Sequence, residues 1–270
     1  MSFPSFMSVY VEAVRPSFDD PDESLLIIQG TGFVLEHYGQ NFLVTNGHIV
    51  TGRDRKTMKP LGSASLPKQL RVVIPTVGSG IGEAGEHLAL LGTRTVMLDL
   101  YDEDGQALWY SHPVFGTRFD VVALPIDPPA RQLPDISGIY LPYRFASTAA
   151  GLEPPDEVSI VGFPYGLRGG ASTAIWIRGT IATEPKMPYE GEDCFLVDAR
   201  TREGQSGSPV IEYPAADAGP NEEWRLIGVY SSRVTDPSTG AMSTDLGRVW
   251  TASALEAVID GGEPDGLVYE

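Results

Sequence analysis

The 270-residue sequence holds a single cysteine, Cys194. An internal disulfide is therefore excluded, and the fold must be held by burial and hydrogen bonding rather than by the cross-links that staple many secreted domains. Cys194 stands in the strand-like run Asp193-Cys194-Phe195-Leu196-Val197 with no second thiol or close histidine, which reads as a buried structural thiol. Long apolar runs are also missing, so no segment is expected to span a bilayer. Met1 to Val14 lacks a basic start followed by an apolar stretch and a small-residue cleavage site. Together these absences give the expectation of a bacterial-style cytoplasmic protein with no membrane partner.

Positive charge is scarce. With 19 Lys and Arg against 36 Asp and Glu, the formal net charge is -17, and no basic stripe offsets it. Such a chain is repelled by a phosphate backbone, so nucleic acid is not an expected partner. Only four histidines occur, His37, His48, His87 and His112, and no pair has metal-ligand spacing. No metal or cofactor is expected, and His37, His87 and His112 read as loop or surface residues.

What the chain does have is 42% hydrophobic content broken into short runs rich in Val, Ile, Leu and Thr, with 30 glycines and 22 prolines between them. That punctuation favours strands and turns over long helices and predicts a mostly β fold. Leu25 to Ile28 and Phe33 to Leu35 flank a kink at Gly30-Thr31-Gly32, and Phe42 to Thr45 reads as the return strand of a hairpin that delivers Asn46-Gly47-His48. Gly52 to Pro67 reads as a surface loop with Arg53, Arg55, Lys56 and Lys59 solvated. Asp120 precedes the buried-strand pattern Val121 to Ile126, with Asp99 and Asp102 as rivals for its role. The proline-rich stretch from Asp127 is the best linker. Ser253 to Ile259 reads as a short helix with Ser253 as N-cap. Gly80-Ile81-Gly82-Glu83-Ala84-Gly85 matches a dinucleotide fingerprint, but no long helix or parallel βαβ pattern follows, so it reads as a glycine loop.

A serine nucleophile needs a base, a group that orients the base, and donors aimed at the developing oxyanion. Gly204-Gln205-Ser206-Gly207-Ser208-Pro209 supplies a serine flanked by glycines, which let backbone amides approach a substrate closely. All four histidines precede Ser206, which excludes an α/β-hydrolase, whose histidine follows its serine; Ser208 also stands where that fold's elbow wants glycine. The order His, Asp, Ser remains.

The loop Gly204 to Pro209 resembles the nucleophile loop of trypsin-like serine proteases. Gly30-Thr31-Gly32-Phe33 with Thr45-Asn46-Gly47-His48-Ile49-Val50 is similar to that family's histidine segment, and Phe119-Asp120-Val121-Val122-Ala123-Leu124 to its aspartate segment. Asp156 to Gly166 resembles HtrA-like and glutamyl-endopeptidase-like bacterial members, here without a PDZ domain. The resemblance runs from about Leu25 to Ile259. It implies an all-β fold of two six-stranded antiparallel β-barrels with a short C-terminal helix. The implied divisions are an N-terminal extension over 1–24, a first barrel over 25–130, a linker over 131–150, a second barrel with the helix over 151–260, and a tail over 261–270.

By the same resemblance His48 is the general base, Asp120 its partner and Ser206 the nucleophile, with the Gly204 and Ser206 amides as the oxyanion hole. Arg200, Thr201, Ser231, Ser232 and Arg233 are the implied substrate-binding residues, and the two arginines suggest an acidic residue at the cleaved position. Gln205 stands where secreted members carry an aspartate that pairs with a freed N-terminus, so no zymogen step is expected. The implied function is a serine endopeptidase acting on polypeptide, with a regulatory protein partner suggested by the cytoplasmic setting. A silent binding module, or an esterase using the same site, stays open.

Overall fold

In the computed structural model the described residues are 4–17, 23–61, 66–81, 87–116, 118–127, 142–145, 151–212, 224–235, 238 and 242–266. Among these residues, twelve strands form two six-stranded antiparallel sheets. The first contains β1 (Ser8–Pro16), β2 (Ser24–His37), β3 (Gln40–Thr45), β4 (Gln69–Ile81), β5 (His87–Asp99) and β6 (Val122–Pro125), in the order β5-β4-β1-β2-β3-β6. Its two edges are joined by the segment after β5: the Leu108 amide donates to the Leu100 carbonyl at 3.0 Å, and Tyr110 exchanges backbone hydrogen bonds with Ala123 of β6 at 2.8 and 3.2 Å. The second sheet closes fully, β10 (Pro209–Glu212), β11 (Arg225–Thr235), β12 (Met242–Thr251), β9 (Cys194–Ala199), β8 (Ile175–Ile181) and β7 (Glu157–Gly162) following one another until β10 meets β7.

Alternation along the strands divides the apolar residues among three cores. Val9, Val11, Val34, Leu43, Leu70, Val72 and Trp109 fill the first sheet's interior. Val158, Ile160, Phe195, Val197, Val210 and Val249 fill the second barrel. The opposite faces of the same strands, carrying Tyr10, Phe33, Leu35 and Trp250, meet with Phe119, from the bend before β6, in a third core between the barrels. There Phe119 and Trp250 pack edge to face with ring centroids 4.6 Å apart. Leu255, Val258 and Ile259 of the C-terminal helix, Ala252–Gly261, seal that core.

Several sequence expectations need correction. Residues 8–16, assigned to an extension, are β1, which pairs with both β2 and β4. Both of its faces are apolar enough to be buried, and Ser8 Oγ donates across to the Val161 carbonyl at 2.8 Å. β2 is continuous through Gly30-Thr31-Gly32. The helix cap is Thr251 rather than Ser253, its Oγ1 accepting from the Ala254 amide. The tail is tied down at Asp265, which accepts from Trp109 Nε1 at 3.2 Å.

Arg55 is not solvated. It makes two bonds to the Glu192 carboxylate, at 2.8 and 3.0 Å, and lies over the Trp250 ring. His37 and His112 are buried, because His37 Nε2 bonds Asp260 at 2.8 Å and His112 Nδ1 accepts from the Val114 and Phe115 amides. Of the linker expected over 131–150, only 142–145 lie among the described residues, with the Tyr143 amide donating to the Val34 carbonyl. The core of the glycine loop, 82–86, lies outside them. Cys194 is buried, and burial, partly opposed by Arg248, pushes its thiol pKa up.

Candidate active site

Strand β3 ends at Thr45, and Asn46 turns the chain into the short helix Gly47–Thr51 that presents His48. Asn46 Nδ2 donates to the Asp120 backbone carbonyl at 2.6 Å, tying the histidine turn to the residues that enter β6. A Cβ on Gly47 would sit 3.3 Å from Asp120 Oδ1, a tight contact against the carboxylate.

Asp120 is 3% exposed and its carboxylate is fully engaged. Oδ1 accepts from the His48 backbone amide at 2.9 Å, while Oδ2 is 2.8 Å from His48 Nδ1 and accepts from Ser231 Oγ at 2.7 Å. Burial alone would raise its pKa, but the adjacent imidazole and these donors hold it below the ordinary carboxylate value. His48 feels the converse. Burial disfavours the imidazolium, yet the Asp120 charge and hydrogen bond outweigh it and leave the ring more basic than a free histidine. The rivals lie elsewhere: Asp99 accepts from Gln69 Nε2, and Asp102 caps its own turn by accepting from the Asp104 and Gln106 amides.

Ser206 lines a cleft of about 640 Å³ together with His48, Asp120, Gly204, Ser232 and Arg233. Among the described residues its hydroxyl has no direct hydrogen bond to the His48 ring. The loop around it is anchored on both sides. Gln205 is fully buried, and its Oε1 accepts from the Arg202 amide at 2.8 Å, closing the turn from within. The Gln205 amide donates to Arg202 O at 3.3 Å, Gly207 to Tyr230 O at 2.9 Å and Ser208 to Gln205 O at 3.0 Å. No such acceptor among the described residues takes the Gly204 or Ser206 amides.

A residue whose role the sequence reading missed is Thr31. Its amide donates to the Ser206 carbonyl at 2.8 Å, and its Oγ1 donates to the Gly204 carbonyl at 2.9 Å while accepting from the Phe163 amide at 3.1 Å. The signal was present in its flanking glycines: a Cβ on Gly30 would stand 2.9 Å from Ser206 O, and one on Gly32 3.0 Å from Val44 O.

The expected substrate-binding residues separate. Ser232 and Arg233 line the cleft with Ser206. Thr201 is buried, its hydroxyl 2.6 Å from that of Tyr230, so it faces the core. Ser231 is buried on Asp120. Arg200 is exposed and lines a neighbouring depression with Arg202, Arg233 and Asp245 rather than the cleft itself. Away from the cleft, His37, Glu256 and Asp260 bring one ligand atom each within 4.8 Å of one another, with His37 already bonded to Asp260.

The family model described as "Trypsin-like peptidase domain" matches residues 30–215. The chain belongs to the trypsin-like peptidase domain family. The match spans the three segments that carry His48, Asp120 and Ser206, and the family's peptidase chemistry comes with it. Comparison with curated proteins gives no match. Among solved structures, the Rv3671c protease of M. tuberculosis in an inactive form is 16% identical, with a TM-score of 0.49, over 98% of this chain and 91% of that one. Its active form is 15% identical with a TM-score of 0.45, over 98% and 83%. No helix among the described residues is long and apolar enough to cross a membrane.

Proposed function

We propose that this trypsin-like peptidase is a serine endopeptidase that cleaves through an acyl-enzyme on Ser206. The observation that carries the reading is the engagement of His48 Nδ1 by the buried Asp120 carboxylate at 2.8 Å, beside a cleft that Ser206 also lines. With Nδ1–H donated to Asp120, the proton-free nitrogen is Nε2, the tautomer a general base requires. His48 then takes the Ser206 proton as the hydroxyl attacks the scissile carbonyl, and returns it to the leaving amine. A water activated by the same ring releases the acyl group. The gap between Ser206 Oγ and the ring closes when substrate fills the cleft, since catalytic hydrogen bonds are often long before substrate binds.

The amides of Gly204 and Ser206 receive the oxyanion in this reading, and each such donor is worth roughly 3 kcal/mol in the transition state. Gln205 holds their turn through its own side chain, so no N-terminal ion pair is required for activity. The most direct lever for a regulatory partner is the segment 163–172. Its Tyr165 amide donates to the Glu203 carbonyl, and its exposed Tyr165 and Leu167 offer apolar surface beside the nucleophile loop.

The test is labelling by a fluorophosphonate probe at neutral pH, with Ser206→Ala and His48→Ala as controls. Labelling that disappears in both variants is the expected result. Folded wild-type protein that takes no label and cuts no peptide would instead identify a binding module with a silent triad.

A further inference from the structure

His37 ends β2 and Asp260 lies in the last turn of the C-terminal helix, 223 residues further on, yet His37 Nε2 stands 2.8 Å from Asp260 Oδ1. Glu256 precedes Asp260 by one helical turn, so both carboxylates share a face of the helix. One ligand atom from each of the three residues falls within 4.8 Å of the other two. The imidazole is held in place from both sides. It is 9% exposed, packs against the Tyr38 ring at 4.1 Å, and meets Phe145 edge to face at 5.1 Å.

Taken as side chains alone, the arrangement is unfavourable. Two like charges one turn apart on a helix repel each other. Asp260 also sits at the negative end of the helix dipole, where a cation is favoured, and the last turn carries no basic residue. His37 answers one of the two carboxylates. Glu256 is half-buried, and among the described residues its carboxylate has neither a hydrogen bond nor an ion pair. In a chain of net charge -17, this local surplus is relieved by a cation that carries more charge than an imidazolium.

We propose that His37, Glu256 and Asp260 form a structural zinc site that clips the β2–β3 hairpin to the C-terminal helix. One imidazole nitrogen and two carboxylate oxygens are ligands that zinc accepts at about 2.0–2.2 Å, with water in the fourth position. Calcium and magnesium favour shells made of oxygen alone. Ligand atoms around a tetrahedral zinc stand about 3.4 Å apart. The 2.8 Å pair must therefore open and the widest gap close, each by roughly an ångström, within reach of carboxylate side chains on an accessible helix face. Zinc takes the Nε2 lone pair, and the proton that His37 donates to Asp260 leaves to solvent. The clip fastens the first sheet to the element that follows the second barrel, and the same helix seals the core between the barrels with Leu255, Val258 and Ile259. None of the three ligands lines the cleft that holds Ser206, so the site stands apart from the endopeptidase reading. No sequence spacing announces it, since the histidine and the carboxylates lie at opposite ends of the chain.

The experiment takes the full chain, stripped with a chelator and dialysed free of it, and titrates zinc chloride by calorimetry alongside thermal unfolding. One zinc per chain should bind at this site, with Tm raised by about 5 °C at a hundredfold excess over Kd, and magnesium should give no comparable rise. His37→Gln should abolish the effect, and Glu256→Gln and Asp260→Asn should each weaken binding by roughly tenfold or more. Glu256→Gln relieves the repulsion between the carboxylates, so its metal-free Tm should equal or exceed that of the wild type. His48→Ala should keep the zinc, which separates this site from the catalytic histidine. Absence of a Tm shift, zinc held as tightly by Glu256→Gln as by the wild type, or binding that is lost in His48→Ala instead, overturns the proposal.

Discussion

The backbone amide of Thr31 donates to the carbonyl of Ser206 at 2.8 Å, so a strand of the first sheet holds the nucleophile of the second barrel. The Thr31 side chain extends the same contact. It is buried, and its hydroxyl sits between the Gly204 carbonyl and the Phe163 amide. The turn that aims the Gly204 and Ser206 amides is thus fixed from outside its own barrel.

Thr31→Val tests that role while keeping shape and β-branching. It leaves one buried acceptor and one buried donor without their partner, a cost of about 2–4 kcal/mol in stability. Because the orphaned groups border the nucleophile loop, kcat/KM on a peptide should fall more than tenfold while KM changes little. Chemical denaturation and steady-state kinetics measure the two effects separately. An unchanged kcat would show that the turn is held by Gln205 alone.

The pairing of Asp120 with His48 predicts a pH profile. General-base catalysis needs neutral His48, and its pKa is raised above the ordinary 6.5, burial being outweighed by the Asp120 charge. Activity should therefore reach half its maximum above pH 6.5 and fall as the pH drops. Asp120→Asn removes the charge, moves that midpoint down and costs kcat about 10⁴-fold through the wrong tautomer. Ser231→Ala removes one donor to Asp120 and should cost less than tenfold. Stability follows the same pair with opposite signs. The raised His48 pKa stabilises the fold below pH 6.5, and that contribution is lost as pH rises through the raised value. The depressed Asp120 pKa stabilises it above the usual 3.8, a contribution lost as pH falls through the depressed value. The pair supports the fold most between those limits, which urea titrations at pH 3, 5 and 8 would resolve.

Arg55 predicts a different sensitivity. Four residues beyond the helix that carries His48, it reaches the second barrel, where it makes two bonds to Glu192, which is shared with Arg248. Arg55 is 10% exposed at its side chain, so depriving it of its Glu192 partner is expensive. Glu192→Gln should destabilise the protein by about 3 kcal/mol, and Arg55→Met by less, since Glu192 keeps Arg248. The double change should cost less than the sum, because no unpaired charge is then buried. Thermal unfolding of the four-protein cycle gives the coupling directly.

How much of this was legible beforehand varied with the kind of interaction. The β class, the order of histidine, aspartate and serine, and the buried Cys194 could be read because local pattern determines them: short apolar runs between turn residues, and a serine between glycines. β1 was missed because neither face of Ser8–Pro16 is left to solvent, so its composition does not announce which sheet it joins. Arg55 was misread as solvated because its partner Glu192 lies 137 residues away and its platform, Trp250, further still. Ser231 and Thr201 were read as substrate contacts from the family resemblance alone. Their hydrogen-bond partners, Asp120 and Tyr230, become neighbours only in the folded chain.

The glycines of the nucleophile loop give the sharpest contrast between conformational strain and collision. Gly207 has φ of +86° and Gly39, at the β2–β3 turn, φ of +78°, so an alanine at either place adopts a left-handed backbone. That strain alone is about 1–2 kcal/mol. At Gly39 nothing lies within 4 Å of the new Cβ, and Gly39→Ala should cost no more than this and leave activity intact. At Gly207 the Cβ would stand 2.0 Å from the Thr31 carbonyl oxygen and 2.7 Å from Thr45 Oγ1, both on rigid strands. Neither can yield without breaking the contact that holds Ser206, so Gly207→Ala should destabilise by well over 2 kcal/mol and abolish fluorophosphonate labelling. Equal effects at the two positions, measured by denaturation midpoints and labelling rate, would show that backbone strain, and not the seam between the barrels, sets the requirement for glycine after Ser206.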